Sequence, residues 1–293
     1  MSIVTRFAPS PTGYSHLGHA FSAWTAWRRA RTAGGRFLLR LEDIDTTRCR
    51  PEFAAALLED LAWLGLEWDG PVRVQSEHMA DYARVLDDLR ARGLLYPCFC
   101  SRADIQRHVI AAAPHGPPEG PPAGPSEGPS GGPDGGPLYP GTCRGLSAAE
   151  RAARARGPHA LRLDMARAVA LTGGGLTFEE EGHGTVLADP ARFGDVVLAR
   201  KDTPSSYHLC VTHDDALHGV TLVTRGEDLR EATHLHRLLQ ALMGWPVPVY
   251  AHHRLLLDAS GRRLAKRDRA MTLRALRDSG VTAREVLERV ASG

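Results

Sequence analysis

The chain contains no apolar run approaching the roughly 18 residues that a membrane-spanning helix needs, so no segment reads as a bilayer span. Met1 to Arg6 lead into a proline-rich turn and not into the apolar stretch of a signal peptide. These two absences predict a cytoplasmic protein, in a compartment where thiols stay reduced. Cysteine is scarce. Five cysteines in 293 residues are better read as metal ligands or free thiols than as disulfides. Lysine is scarcer still: Lys201 and Lys266 stand alone against arginine at every other basic position. The formal net charge is only +2, so total charge demands no nucleic-acid partner. The local clusters Arg28-Arg29-Ala30-Arg31 and Arg262-Arg263 fit either a solvated face or a phosphate contact. No internal repeat is present.

The hydrophobic fraction of 43% is that of an ordinary globular chain, long enough for one large domain or two modest ones. Ser2–Ala8 reads as a strand. A helix follows from about Gly18 to Ala33, with Phe21, Trp24 and Trp27 at helical spacing, and Gly34-Gly35 ends it. Phe37–Leu41 is a second strand. Strand, helix and strand within about 45 residues make a βαβ unit, which implies a parallel sheet. Further helices are expected from Pro51 and over Met79–Arg92, Ser206–Leu217, Leu229–Met243, Leu273–Ser279 and Ala283–Val290. Leu94–Cys100 is a short apolar run, and short strands are expected at Ala160–Leu163, Thr185–Leu187, Val196–Ala199, Val220–Val223 and Val247–His252. Residues 113–137 hold nine prolines and eight glycines. That composition builds no packed core, so a flexible or disordered insertion is expected there.

Three constellations carry chemistry. The first is Arg6-Phe7-Ala8-Pro9-Ser10-Pro11-Thr12-Gly13, followed by His16-Leu17-Gly18-His19. It combines a strand end, a tight turn and a helix start bearing two imidazoles. A helix N-terminus attracts phosphate, and imidazoles three positions apart share one side of the first turn. The second is the basic string Arg263-Leu264-Ala265-Lys266-Arg267. Taken singly, each could be a surface turn. The third is Cys98-Phe99-Cys100 with Tyr139-Pro140-Gly141-Thr142-Cys143. Three cysteines and a fourth ligand make a structural zinc site, and His108 or His115 could serve as that fourth ligand. Cys49 and Cys210 read as plain thiols.

Together the first two constellations resemble the HIGH and KMSKS signatures of class I aminoacyl-tRNA synthetases. The string from Arg6 to Gly13, the acidic string Arg40-Leu41-Glu42-Asp43-Ile44-Asp45, and Tyr207 with Arg225-Gly226-Glu227-Asp228-Leu229 resemble the glutamyl and glutaminyl branch. The resemblance spans roughly residues 3 to 270. It implies an α/β fold: a Rossmann-like catalytic domain, an inserted zinc-binding acceptor-type subdomain and a short helical C-terminal segment. The implied divisions are 1–95, 96–190, 191–250 and 251–293.

The implied chemistry is activation of L-glutamate by ATP with Mg²⁺. By resemblance, His16, Gly18, His19 and Lys266 bind ATP. Arg6, Phe7, Ala8, Pro9, Ser10, Glu42, Tyr207 and Arg225 line the glutamate site. A related glutamate-activating family without an anticodon domain implies Tyr139 as fourth zinc ligand beside Cys98, Cys100 and Cys143. Ala265 departs from the usual serine of the late motif and removes one hydroxyl donor. Residues 267–293 are too few for a helical anticodon-reading domain. The resemblance therefore narrows to the glutamyl-queuosine tRNA(Asp) synthetases, which attach glutamate to queuosine in the anticodon of tRNA(Asp). A monomer is expected. The competing expectations are a shortened glutamyl-tRNA synthetase that charges a 3′ end, and a non-catalytic tRNA-binding paralogue.

Overall fold

The computed structural model describes residues 2–112, 132–133, 135–256 and 272–292. Strand β1 (Val4–Phe7), helix α1 (Leu17–Thr32) and strand β2 (Arg36–Leu41) form the expected βαβ unit, with Val4 opposite Arg36 and Phe7 opposite Leu39 in parallel register. Helix α2 (Pro51–Trp63) leads to the short strand β3 (Arg73–Val74), which adds in parallel to β2. On the other side of β1 lies β9 (Leu222–Gly226): the Thr221 N–H donates to Val4 O at 3.0 Å, and the Val4 N–H donates to Thr221 Oγ1 at 2.9 Å. β9 pairs in parallel with β10 (Val249–His253), and β10 with β6 (Thr177–Glu180). β7 (Gly184–Leu187) closes that edge as an antiparallel hairpin partner of β6.

The chain thus steps outward from β1 in one direction and from β9 in the other. In such open sheets a crevice forms beyond the carboxyl ends of the two strands where the winding reverses. Here those ends are Phe7 and Gly226.

Helix α1 covers the sheet with its alanines. Ala20, Ala23, Ala26 and Ala30 are buried, whereas Phe21, Trp24 and Trp27 lie half-buried along the margins. Small side chains let the helix axis approach the strands, and Thr5 Oγ1 reaches the Ala26 carbonyl at 2.9 Å. Helices α9 (Leu273–Asp278) and α10 (Ala283–Ser292) pack Leu273, Leu276, Val286 and Val290 into the same core. A second core lies beneath α3 (Met79–Ala91), α7 (Tyr207–Leu217) and α8 (Ala232–Met243), and reaches the antiparallel sheet of β4 (Leu95–Cys98), β5 (Ala160–Leu163) and β8 (Val197–Ala199). Among the described residues no helix is long and apolar enough to cross a membrane.

Five helices and strands lie outside the sequence reading: β3, α4 (Arg102–Ala112), α5 (Ala148–Arg154), α6 (Met165–Leu171) and β6; the short apolar run Leu94–Cys100 contains a further strand, β4. Helix α5 buries no residue, so it has no apolar stripe to read, yet Ser147 and Glu150 form a reciprocal capping box that the sequence does carry. Within the 96–190 stretch, β4 and β5 lie in the antiparallel sheet, while the β6–β7 hairpin joins the sheet of β9 and β10.

The α1–β2 turn tests how tightly these strands meet. Gly34 has φ +62° and open space around its Cβ position, whereas a Cβ on Gly35 would lie 2.0 Å from the Ile3 carbonyl oxygen. Gly34→Ala should cost about 1–2 kcal/mol of left-handed strain. Gly35→Ala should exceed the ~1–3 kcal/mol usual for overpacking, because its obstacle is backbone. Urea unfolding midpoints of the two variants should fall in that order.

Candidate active site

The crevice beyond β1 and β9 is a cavity of about 640 Å³. Its walls include Arg6, Phe7, Ala8, Pro9 and Ser10 from the end of β1, Glu42 from the end of β2, Tyr207 from the start of α7 and Arg225 from β9. His16, Gly18 and His19 contribute the wall at the head of α1. Every expected pocket residue among those described therefore meets in one cavity. Lys266, with the whole basic string from Arg263 to Arg267, lies outside the described residues, as does His115.

The two histidines cap their own helix. The Gly18 N–H donates to His16 Nδ1 at 3.1 Å, and the His16 N–H donates to His19 Nδ1 at 3.2 Å. Each Nδ1 is thereby an acceptor, so each neutral ring carries its proton on Nε2 and is a donor there. A helix start edged with ring N–H donors suits an anion. Gly18 matters for a second reason: a Cβ there would come within 2.9 Å of His16 Cε1. The Leu273 N–H donates to Ser15 O at 2.8 Å, and Thr272 pairs with His16 in an isolated antiparallel bridge, so the start of the C-terminal helices rests on the turn that bears the two histidines.

Beneath the pocket lies a buried charge array. Asp215 Oδ1 accepts from Arg6 Nε at 3.0 Å and from Arg40 Nη1 at 2.8 Å. Arg40, only 1% exposed, also donates to Glu42 Oε1 at 3.1 Å. Asp214 accepts from Arg73 Nε, Gln75 Nε2 and the Tyr82 hydroxyl, each at 2.9 Å. Burial pushes the Asp215 carboxyl up, but Arg6 and Arg40 outweigh it and hold the group below its ordinary range. Asp214 is drawn down to about 2 against the same burial, by His213, Arg40, Gln75 and Arg73.

Arg225 is held differently. Its Nε–H donates to His252 Nε2 at 3.2 Å and its Nη2–H to Thr233 Oγ1 at 2.7 Å, and Nη1 meets His236 Nδ1 at 3.2 Å. Burial lowers His252 to about 4 and His236 well below its ordinary value, with Arg225 lowering both further. Both imidazoles stay neutral. Among the described residues no carboxylate ion-pairs with this buried guanidinium, although Glu180 lies one imidazole away, 2.9 Å from His252 Nδ1.

A second cavity of about 480 Å³ shares Ser10, Glu42 and Tyr207 with the first. Its far wall includes Leu138, Tyr139, Arg162 and Arg200. Behind Tyr139 lies the thiol cluster. The sulfurs of Cys98, Cys100 and Cys143 all lie within 4.8 Å of one another, and Cys100 Sγ is 3.5 Å from Cys143 Sγ. The Tyr139 hydroxyl sits 3.6 Å from Cys100 Sγ and accepts from the Cys143 N–H at 2.8 Å. A tetrahedral zinc with bonds of about 2.3 Å needs sulfurs about 3.8 Å apart, so the donor set fits. His108 is exposed on α4, with Nδ1 against the Asp104 carbonyl, and does not join the cluster. Cys210 is buried beside Ser205, and Cys49 is half-buried.

The sequence reading missed Arg40, Asp214, Asp215, Glu180, Thr233, His236 and His252 as parts of this site. Some signals were present. Arg40 interrupts the apolar strand Phe37–Leu41, and Asp214-Asp215 falls on a helix whose other buried residues are Leu209, Cys210, Val211 and Thr212. The partners of Arg225 come from α8 and β10, with Glu180 of β6 behind His252, and had no local signature.

Residues 2–291 match the family described as class I tRNA synthetases (E and Q), catalytic domain. The chain is 49% identical to the glutamyl-Q tRNA(Asp) synthetase of Rhodobacter capsulatus, over 97% of this chain and 98% of that one. It is 43% identical to the protein of the same name from Symbiobacterium thermophilum, over 98% of this chain and 84% of that one. A crystal structure of a glutamate tRNA ligase from Elizabethkingia meningosepticum, in complex with its amino acid, superposes with a TM-score of 0.71 at 27% identity, covering 92% of this chain. The chain spans about half of that ligase, 52% of its length.

Arg40→Leu would strand Asp215 and Glu42 without a shared cation. Removing one partner from a buried ion array costs about 3–5 kcal/mol. Chemical denaturation of the variant should show a loss of that size, whereas the exposed pair partner Arg48, changed to alanine, should lose at most about 1 kcal/mol.

Proposed function

The chain belongs to the class I tRNA synthetases of the glutamyl and glutaminyl type, and on that premise we propose that it activates glutamate with ATP and transfers it to the queuosine base at the wobble position of tRNA(Asp). The observation that carries the amino-acid half is Arg225, a buried guanidinium facing the crevice with only neutral hydrogen-bond partners. Such a group calls for an anion, and a carboxylate can take its fork in two hydrogen bonds. The names of the relatives support the acceptor half.

In this reading the glutamate α-carboxylate oxygen attacks the α-phosphorus of ATP. The bond from that phosphorus to the bridging oxygen breaks, and pyrophosphate leaves. Arg225 receives the side-chain carboxylate, while Arg6, Phe7, Ala8, Pro9, Ser10, Glu42 and Tyr207 form the rest of the amino-acid pocket. His16 and His19 donate from Nε2 to the phosphate oxygens as charge builds, and Lys266 steadies the pyrophosphate. Mg²⁺ accompanies the nucleotide and screens its charge. A hydroxyl of the acceptor then attacks the acyl carbon and AMP departs. The second cavity adjoins the amino-acid pocket and shares Ser10, Glu42 and Tyr207 with it, which supports it as the approach for the acceptor. Cys98, Cys100, Cys143 and Tyr139 hold zinc, which braces the acceptor-type unit built on β4, β5 and β8.

ATP–pyrophosphate exchange should occur with glutamate and not with glutamine or aspartate. His19→Ala should lower it by about 10²-fold, the usual effect of losing one transition-state donor. Labelled glutamate should pass to queuosine-containing tRNA(Asp) and not to the same tRNA lacking queuosine. No exchange even with that tRNA present would overturn the activation chemistry, and equal charging of both tRNAs would move the acceptor to the 3′ end.

Protein purified without chelator should carry about one zinc per chain. Cys143→Ser should lose it, and metal analysis finding none in the unaltered protein would remove that assignment.

A further inference from the structure

Arg225, His252 and Glu180 lie in a row across three strands. Arg225 on β9 and His252 on β10 are register partners, and Glu180 on β6 stands opposite Tyr250, two residues before His252. A guanidinium only donates, so the 3.2 Å contact fixes His252 Nε2 as the acceptor. The proton of the ring therefore sits on Nδ1, where it donates to Glu180 Oε1 at 2.9 Å. Glu180 is itself buried and also pairs with Arg230 at 2.9 Å and His183 at 3.7 Å.

This row does something that a direct ion pair would not. Had Glu180 touched Arg225, as Asp215 touches Arg6, the carboxylate would neutralise the cation that the pocket offers. The imidazole supplies the hydrogen bond that orients the guanidinium, yet keeps the compensating charge one ring away. Coulomb attraction weakens with that separation, so Arg225 remains an effective cation toward the cavity. Burial keeps His252 neutral, which preserves its acceptor role.

We infer that His252, oriented by Glu180, is a positioning residue that holds Arg225 as an uncompensated cation and thereby selects a side-chain carboxylate over the isosteric amide. This rests on the reading that Arg225 receives the glutamate side chain. His252 touches neither substrate nor nucleotide in this account; it acts through Arg225.

Two independent measurements test it. In ATP–pyrophosphate exchange, His252→Leu should raise the KM for glutamate about 10- to 100-fold, the range for a lost hydrogen bond to a charged group, with the KM for ATP unchanged. The preference for glutamate over glutamine should shrink with it. His252→Gln keeps an acceptor for Arg225 and a donor for Glu180, and should stay near the parent value. Glu180→Gln is isosteric and carries the kinetic test if the leucine variant fails to fold. Its amide can donate to His252 Nδ1 and drive the proton to Nε2, so the glutamate KM should rise. Unchanged glutamate KM in His252→Leu and Glu180→Gln, or a parallel rise for ATP, overturns the inference.

The second measurement is a ¹⁵N spectrum of histidine-labelled protein. The signal absent from His252→Gln should show a protonated Nδ1 and a bare Nε2, and the opposite tautomer or an imidazolium overturns the proposal. That spectrum needs no substrate. Unaltered protein that activates no amino acid would defeat the reading of Arg225 as the glutamate receptor, whereas a wrong tautomer defeats the role of His252 alone.

Discussion

One carboxylate oxygen, shared by two guanidiniums, sets the geometry of the crevice. Asp215 Oδ1 accepts from Arg6 on β1 and from Arg40 on β2, and Asp215 itself stands on α7. Two strands and a helix are thereby tied at the point where the winding of the sheet reverses. Arg73, Asp214 and Glu42 complete the array, so that three buried cations face three buried carboxylates. Such an array adds little net stability, because desolvation offsets most of the attraction. Its contribution is exclusion: any other packing of these elements would bury an unpaired charge. Phe7 to Ser10, Glu42 and Tyr207 inherit their positions from that constraint.

Two arginines expected to do one job differ in what surrounds them. Arg6 is compensated by Asp215 and donates to the Thr224 carbonyl at 3.0 Å, which ties β1 to β9. Arg225 is ringed by a hydroxyl and two neutral imidazoles. Residue type alone made them equivalent. Their partners set them apart: Arg6 spends part of its charge on Asp215, whereas the hydrogen-bond partners of Arg225 are all neutral.

Much of this was legible in the chain. The βαβ unit could be read because the apolar strands, the helix and its glycine stop follow one another without interruption. The crevice residues could be read because they cluster in short strings such as Arg6–Ser10 and His16–His19. Other parts were hidden for physical reasons. Helix α1 advertises its aromatic row, yet the face that meets the sheet is alanine, a residue too small to mark a pattern. His252 and Thr233 reach Arg225, and Glu180 reaches His252, from strands and a helix that only the folded topology brings side by side. The thiol cluster lay between these cases, since Cys98, Cys100 and Cys143 were visible while their mutual distances were not.

The alanine face of α1 has a consequence for how far damage can travel. The helix that begins with His16 and His19 rests on the sheet through Ala20, Ala23, Ala26 and Ala30. It behaves as a rod seated in a shallow trough with nothing to cushion it. A bulkier side chain at Ala26 or Ala30, two to three turns from the imidazoles, would act as a shim under one end and swing the other. Loss of function by substitutions that touch no ligand is therefore built into this seating, and the drift open to those four positions is confined to side chains no larger than a methyl group.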